Sequence, residues 1–597
     1  MKFYNYALMG LCASSLFILS SCVDKDYDLS DIDTTSRIVV NDLVVPMNLE
    51  YITLDQILDV DDDSELVKEE VPDGKGGTKL VYAIKKSGSF ESDPIEVSSF
   101  TASKPNITPM SDELDLVDLR NAASYVPGGI AAYYDVKLNP TSFKSEANDF
   151  DKSIKKIEML GVDTKMNNIV KIEGMNAGLY SKLKIEGVKI KYPKGLVAVP
   201  DNGKYDINTG VLDLSGEQLV PDANGEINLC MNISAIDIEK AGSDVKIDYE
   251  KHNLIIESAL EVTEGRVNIY ADENLPAKIK FSSSPEMEAI KVIKFTGNIE
   301  YDVDEFNIDP INITDVPDLI NKSGTKLVLD NPQLYITLNN PMYKYGSYMQ
   351  TGFKMTSHRD EDSKTIEIDN KTFTTPIPAK EVNEFVLSPK MPERIISGYT
   401  APEHVKFSSL GRILITNEKA DENNDKGGIP NIINVDAANP KMPEQKVVDF
   451  ELDEELGTVI GNYDFYAPLQ LTEESQIVYT DTVDGWNDED VDCITIKKLV
   501  VNFDATTEVP FDIKITALPI NINGKVIEGV TSTWATVGVG AVKQPAEVII
   551  EGNITHLDGI MVKAVMNQKG NETLAPQMKI WMDNFKAKIN GYYEKEL

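Results

Sequence analysis

Apolar and polar residues alternate along most of this chain, in short runs. Apolar side chains occupy every second position in Leu183–Ile185, Phe511–Ile515 and Phe585–Ile589, for example. A period of two is typical of strands that bury one face. The pattern therefore predicts a mainly β protein, built from tandem antiparallel β-sandwich domains with few short helices.

Glycine, proline and asparagine mark where these strands bend or end. Gly187 interrupts the alternation of Leu183–Tyr192 and predicts a bulge. The glycine-rich Pro72–Gly77 and the pair Asn523-Gly524 each separate two apolar runs and predict hairpin connections. Near the N-terminus, Ile38–Leu49 reads as one or two strands, broken near Asn41-Asp42 and stopped by Pro46.

Helical spacing is rare. Asp151–Met159 is the best helix candidate, because its apolar spacing is compatible with one buried stripe, and Leu54–Leu58 and Ala379–Val386 are two further short candidates. We expect a short helix at each of them.

The chain has 597 residues, too many for one hydrophobic core. Proline-rich and polar stretches suggest where it divides. We predict a signal peptide and an acidic tether followed by four β domains, with these bounds: 1–21, 22–38, 39–125, 126–288, 289–385 and 386–597.

The first residues carry an export signal. An uncharged run from Tyr6 to Leu19 follows the positive Lys2 and leads through Ser20-Ser21 into Cys22. Leu19–Cys22 resembles the lipobox of bacterial lipoproteins. That resemblance implies cleavage before Cys22 and acylation of its thiol and amine, so the chain would be anchored by lipid. The alternative is an ordinary secretory signal followed by an incidental cysteine.

The residues behind Cys22 are acidic. Asp24, Asp26 and Asp28 resemble the export signal of surface-exposed lipoproteins, and Cys22–Thr35 is similar to the mature start of uncharacterised outer-membrane lipoproteins of Bacteroidota. The resemblance implies an outer-membrane protein that faces the cell exterior. A solvated linker, kept extended by its charges, is the alternative interpretation.

Charge limits the partners. The formal net charge is −39 at pH 7, which would repel the phosphates of nucleic acid, so we expect no nucleic-acid partner. Anionic lipid headgroups would be repelled too, so membrane association should rest on the lipid anchor. Acidic surfaces remain compatible with glycan or envelope-protein partners.

One acidic loop has the spacing of calcium ligands. Asp59, Asp61, Asp63 and Glu70 would occupy positions 1, 3, 5 and 12 of a twelve-residue calcium loop. Position 6 has Ser64 in place of the usual glycine. A solvated acidic loop is therefore the alternative, and calcium is the one cofactor that the sequence suggests.

The densest aromatic cluster offers a surface for sugars. Tyr343, Tyr345 and Tyr348 could stack on sugar rings while neighbouring polar groups bind hydroxyls. Tyr343 and Tyr345 would share one face of a strand, however, and tyrosine is favoured in strands for packing alone. Both interpretations stay open.

No catalytic motif is present in the sequence. The four histidines are isolated, no Gly-x-Ser-x-Gly occurs, and the many carboxylates make any single pair uninformative. Beyond the signal segment and Cys22, the cysteines are Cys230 and Cys493, which we expect to be unpaired, with one disulfide as the alternative.

These observations favour a lipid-anchored outer-membrane lipoprotein with a non-enzymatic binding or structural role. Two alternatives are a glycan-binding lipoprotein of a polysaccharide uptake system and a fibre or adhesin subunit. An unrecognised hydrolase is a third, and glycoside cleavage would require two carboxylates about 5 to 9.5 Å apart in a pocket.

Overall fold

The computed structural model describes residues 35–46, 51–58, 60, 66–123, 131–304, 307–312, 324–358, 366–369, 375–412, 414–415, 432–486 and 494–596. Strands make up 61% of the structure and helices 7%, which confirms the predicted β class. The expected architecture of tandem antiparallel β-sandwich domains is confirmed as well.

The strands of the first half are β1 (Thr35–Pro46), β2 (Ile52–Thr53), β3 (Leu66–Pro72), β4 (Thr78–Glu91), β5 (Phe100–Ala102), β6 (Met110–Asp115), β7 (Ala131–Asp135), β8 (Thr141–Ala147), β9 (Ile154–Glu173), β10 (Leu183–Lys191), β11 (Leu196–Pro200), β12 (Lys204–Asp206), β13 (Val211–Asp213), β14 (Glu226–Asp237), β15 (Val245–Asp248), β16 (Asn253–Tyr270), β17 (Lys278–Met287) and β18 (Ile290–Asp302).

The strands of the second half are β19 (Asn307–Asn312), β20 (Leu327–Val328), β21 (Gln333–Asn339), β22 (Met349–His358), β23 (Ile366–Asp369), β24 (Thr375–Ile377), β25 (Val382–Ser388), β26 (Glu403–Lys406), β27 (Leu414–Ile415), β28 (Ile432–Glu451), β29 (Ile460–Pro468), β30 (Gln476–Val483), β31 (Thr495–Thr507), β32 (Phe511–Ile520), β33 (Thr531–Ser532), β34 (Ala535–Val537), β35 (Gln544–Ile554), β36 (Gly559–Gln568) and β37 (Lys579–Glu596).

The described helices are short. They are α1 (Leu54–Leu58), α2 (Val117–Ala123) and α3 (Ile238–Ala241), with 3₁₀ turns at Ala177–Lys182, Gly242–Asp244, Tyr343–Tyr345 and Ser408–Arg412. No helix among the described residues is both long and apolar enough to cross a membrane.

The chain forms two compact units. The terminal unit combines the described residues up to Ile52 with Val478–Met566 and those from Lys579 on. The central unit consists of Thr53–Ile477 and Asn567–Met578. The domain bounds given above stay a prediction.

Sheet A of the terminal unit has the strand order β1-β37-β31-β35-β33. The first described strand therefore pairs with the last one, antiparallel, from Thr35 opposite Glu596 to Pro46 opposite Lys586. The register shifts between Val40 and Leu43, where Asp42 has a φ of 55°, so the break predicted near Asn41-Asp42 is a bulge within one strand. Sheet B has the order β30-β36-β32-β34.

The described part of the central unit has three large sheets and the two-stranded pair β20–β27. Sheet C has the order β12-β13-β10-β16-β15, with β7 and β8 on β16. Sheet D has twelve strands around the path β11-β14-β9-β18-β28-β22-β23. Sheet E has the order β26-β25-β21-β29-β4-β3, and its β25–β26 pair is parallel.

One continuous apolar core joins sheets C and D. Ile190 and Val267 of sheet C and Leu229 and Phe281 of sheet D all belong to it and are almost fully buried. An apolar cavity of about 40 Å³ lies within this core, and Gly265 of β16 is among its lining residues. The cavity shows that the packing between the two sheets is incomplete at that point.

Several local predictions are confirmed. Leu54–Leu58 is helical, Gly187 lies at a register shift between β10 and β16, and Lys579–Glu596 is tied into sheet A. Both predicted hairpins form. In the first, the Asp73 side chain accepts hydrogen bonds from the backbone N–H groups of Lys75 and Gly77 at 2.7 and 2.8 Å, which fixes the turn.

Two helix predictions are wrong. Asp151–Met159 leads into the long strand β9, and Ala379–Val386 overlaps β25. In the first part of β9 the register against β18 shifts twice, between Ile154 and Lys156 and between Ile157 and Met159. Because each shift inserts one residue, Ile154, Ile157 and Leu160 all point into the core at a spacing of three, which imitates a helical stripe.

Candidate functional site

A polar cleft of about 570 Å³ lies at one end of sheet E. The order of the strands explains its position. Neighbouring strands in the row β25-β21-β29-β4-β3 are antiparallel, so the end of one strand lies beside the start of the next. The cleft lies at the edge of the sheet where β3, β25 and β29 end and where β4 and β21 begin. Gln470, Asn571 and Thr573 complete the lining. This volume lies in the range of small-molecule sites.

Two buried carboxamides form part of the wall. Asn331 is 8% exposed and Gln333 is 5% exposed. The Oδ1 atom of Asn331 accepts a hydrogen bond from the backbone N–H of Lys390 at 3.0 Å, and Gln333 Oε1 accepts one from the Tyr335 hydroxyl at 2.7 Å. Neither side-chain NH₂ group donates a hydrogen bond to any described residue. Since both residues line the cleft, these two groups are donors available to a ligand.

A charged network supports another part of the wall. The Arg394 Nη2 atom donates to Glu69 Oε1 and to the Tyr466 hydroxyl, both at 3.1 Å, and Lys85 lies 3.4 Å from Glu69 Oε2. Burial opposes the charge on Glu69, but the hydrogen bonds from Arg394 and Tyr466 and the charge of Lys85 outweigh it, so the pKa of Glu69 is lowered. Burial, helped by the negative charge of Glu69, raises the pKa of Tyr466 to about 12.

Lysines complete the positive side of the cleft. Lys390 Nζ lies 2.8 Å from both carboxylate oxygens of Asp330, which holds its ammonium group in place. Lys79, at the start of β4, is exposed and also lines the cleft. Glu393 is the other carboxylate of the lining. The arrangement is rich in hydrogen-bond donors, and it suits recognition of a polar ligand.

The tyrosine cluster has a different geometry from the one expected. Tyr343–Tyr345 is a 3₁₀ turn, so the prediction that Tyr343 and Tyr345 share a strand face is wrong. Tyr345 packs on Phe450 with ring centroids 4.7 Å apart, and its hydroxyl accepts from the Glu451 N–H at 3.3 Å. Tyr343 and Tyr348 are 43% and 38% exposed. The structure thus gives Tyr345 a packing role and leaves two rings at the surface.

A buried side chain explains why this segment turns. Asn340 is 1% exposed, and its Nδ2 donates to the carbonyls of Ser347 and Pro378 at 2.8 and 3.1 Å. Its Oδ1 accepts from the Met342 N–H at 2.9 Å. Because a side chain satisfies these backbone groups, the chain can leave the strand after Asn339.

The other sequence-predicted sites are described only in part. Cys22, Asp24, Asp26, Asp28, Asp59, Asp61 and Asp63 lie outside the described residues. Glu70, the fourth candidate calcium ligand, is exposed on β3. Within the described parts of the chain, no group of three or more His, Cys, Asp or Glu side chains is placed to hold a metal ion.

Cys230 is a free thiol on β14, paired in register with Asn167 of β9. It is partly buried, and burial, with the nearby charge of Asp201, raises the pKa of the thiol. Cys493 lies outside the described residues, so its state stays a prediction.

The cleft residues were not identified from the sequence. The signal that marks them is an interruption: Asp330, Asn331 and Gln333 are polar residues within an otherwise apolar run, Leu327–Leu338. Buried amides inside such a run indicate a side chain with a specific hydrogen-bonding task. The remaining lining residues come from distant parts of the chain, and no local pattern joins them.

Comparisons with known proteins find similar solved structures, including the two given below. No family model and no curated protein matches the sequence. The chain is similar to a candidate secreted protein from Parabacteroides distasonis, a member of the Bacteroidota, at 14% identity and a TM-score of 0.34, over 50% of this chain and 89% of that one. It is also similar to a chain in the atomic structure of Sulfolobus turreted icosahedral virus, at 9% identity and a TM-score of 0.12, over 89% of this chain and 90% of that one. Neither similarity is close enough to carry an argument about function.

Proposed function

We propose that this protein is a lipid-anchored binding protein of the outer membrane that captures a small polar ligand or a glycan in the cleft of sheet E. Cys22 would carry the lipid, and the acidic residues Asp24, Asp26 and Asp28 would direct the protein to the cell exterior. The role is non-enzymatic. The observation that carries the binding role is the cleft itself, because each of its two buried amides uses one polar group within the fold and leaves the other for a ligand.

The size and composition of the cleft support this role. A volume of about 570 Å³ accommodates a small ligand or part of a glycan chain, and the lining combines donors with apolar surface from Val71, Val81 and Pro468. Two carboxylates position the cations of the lining, since Glu69 forms an ion pair with Arg394 and Asp330 forms one with Lys390.

Binding can be tested with a glycan array and a panel of small polar metabolites, using the full-length lipoprotein in detergent. We expect saturable binding that is lost when Asn571→Trp fills the cleft. Glu572→Trp is the matched control, because Glu572 is an exposed neighbour that does not line the cleft. A blank array and a blank panel would refute the binding role, and equal binding by both variants would place the ligand elsewhere.

The anchor has a separate test. Radiolabelled palmitate should enter the chain, and Cys22→Ala should abolish the label. Protease added to intact cells should degrade the protein if it faces the exterior. Labelled Cys22→Ala protein would contradict the lipid site, and protection from protease would contradict the exposure.

A further inference from the structure

We infer that the ligand of the cleft is an anionic sugar, meaning a polyhydroxylated ring that bears a carboxylate or a sulfate ester. This inference rests on the proposed binding function and names the ligand class for the same site. It is drawn from the balance of donors and acceptors in the cleft, from the state of its charged groups, and from its apolar surface.

Donors outnumber acceptors where a ligand would bind. The NH₂ group of Asn331 cannot be exchanged for an acceptor by rotating the amide, because the backbone N–H of Lys390 holds its oxygen. At Gln333 the NH₂ group is free while the Tyr335 hydroxyl donates to the amide oxygen. Arg394 uses only Nη2 for Glu69 and Tyr466, so Nε and Nη1 donate to no described residue. A ligand that satisfies these groups must present several acceptor oxygens.

The cations of the cleft supply further donors. Lys390 pairs with Asp330 and Arg394 pairs with Glu69, and the N–H groups that these pairs do not use remain for a ligand oxygen. Lys79, which also lines the cleft, has no ion pair to a described residue. Asp330 is engaged on both oxygens by Lys390, which leaves Glu393 as the carboxylate of the lining without an ion pair to a described residue. Arginine and lysine bind carboxylates and sulfates through charge-assisted hydrogen bonds.

The apolar side of the cleft suits a sugar ring rather than a bare anion. Val71, Val81, Met391, Pro468 and Tyr466 line the cleft and supply apolar surface for the C–H face of a ring. An inorganic anion would leave this surface unused. A ring with hydroxyls and one negative group uses the donors, the cations and the apolar wall together.

The test is calorimetric titration of the full-length lipoprotein with three trisaccharides. These are trigalacturonic acid, its methyl ester, which removes the charge and keeps the rings, and a sulfated galactotriose. We expect the acid or the sulfated sugar to bind at least about tenfold more tightly than the ester, since a charge-assisted contact is the difference between them. Whichever anion binds more tightly identifies the charged group.

Two substitutions test the residues. Asn331→Asp keeps the acceptor oxygen for the Lys390 N–H and replaces the donor by a negative oxygen, and Gln333→Glu also replaces an NH₂ group by a negative oxygen. Each should weaken binding of the anionic sugar at least about tenfold and binding of the ester less, because the ester loses a donor but is not repelled by the new charge. Lys380→Gln is the control, an exposed lysine outside the cleft. Circular dichroism and thermal melting confirm that each variant is folded.

The outcomes separate the two levels of the proposal. Equal affinity for acid and ester would overturn the anionic class and leave the binding function in place. Unchanged binding by Asn331→Asp and Gln333→Glu would overturn the assignment of these donors. No heat with any trisaccharide would overturn the ligand class as well, and the array and metabolite panel then decide whether the cleft binds at all.

Discussion

Gly265→Ala should stabilise the central unit. A Cβ atom at Gly265 would lie 3.7 Å from a methyl carbon of Val188 and from one of Val262, and 3.9 Å from Cβ of Val136, all ordinary van der Waals distances. The backbone of Gly265 does not have a positive φ, so alanine fits it without strain. The added methyl enters the apolar cavity between sheets C and D.

Two contributions set the magnitude. Replacing glycine by alanine at a compatible position lowers the entropy of the unfolded chain and stabilises by about 0.4–1 kcal/mol. Burying one methyl adds up to about 0.8 kcal/mol, reduced here because Gly265 is half-buried. We therefore expect an increase in the free energy of unfolding of about 1–1.5 kcal/mol.

Two further glycines separate these contributions. At Gly178 a Cβ atom would meet no heavy atom within 4 Å, so Gly178→Ala should show only the unfolded-state effect. At Gly297 it would lie 1.9 Å from the Lys156 carbonyl oxygen, so Gly297→Ala should destabilise by about 1–3 kcal/mol or more. All three lie in the central unit, which allows one unfolding transition to report on them.

The assay is urea unfolding followed by circular dichroism, with the midpoint and slope fitted for each variant. Gly265→Ala should have the highest midpoint, Gly178→Ala a smaller increase and Gly297→Ala a decrease. A midpoint for Gly265→Ala at or below that of the unsubstituted chain would refute the reasoning, because it would mean that the cavity does not accept a methyl group.

Three other predictions follow from the contacts. Asn340→Leu should destabilise by about 2–4 kcal/mol, because it leaves buried carbonyls without donors, whereas exposed Tyr343→Ala should change stability little; urea midpoints compare the two. The pKa of Glu69 is lower in the folded protein than its value near 4.5 in the unfolded chain, so the ionised side chain stabilises the fold above pH 4.5. This stability is lost as the pH falls through the folded-state pKa. Glu69→Gln should therefore make the free energy of unfolding depend less on pH in the acid range. Deleting 35–46 should leave the rest folded, since no described side chain of Ser36–Val44 is buried, and should expose the edge of β37; circular dichroism and light scattering would report retained structure and new self-association.

Local chemistry was predictable from the sequence, because its causes lie within a few residues. The hairpin around Gly74 and the one at Asn523-Gly524 depend on positive φ and on side chains two to four residues away. The bulge at Gly187 has the same origin. The alternation of apolar residues predicted the β class for a similar reason, because successive side chains of any strand point to opposite faces of the sheet.

Irregular strands and long-range pairing were not predictable in this way. The two bulges of β9 changed a period of two into an apparent period of three, and the Asn340 side chain turned an expected strand into a 3₁₀ segment. The cleft is formed by strands that are distant in sequence and become neighbours only in sheet E. No local sequence pattern therefore identifies Asn331 and Gln333 as part of one site. Tertiary packing overrides local pattern in each case.

The pairing of β1 with β37 also has a consequence in time. Arg37 donates a hydrogen bond to Glu594, 557 positions later, so β1 is synthesised long before its partner β37. At about 5–20 residues per second, the ribosome needs roughly half a minute to two minutes to deliver that partner. Through this interval β1 has to remain unpaired without attracting another chain. Asn41 and Asp42 divide the apolar residues of β1 into two groups of three. Such a polar interruption lowers the tendency of an unpaired strand to aggregate.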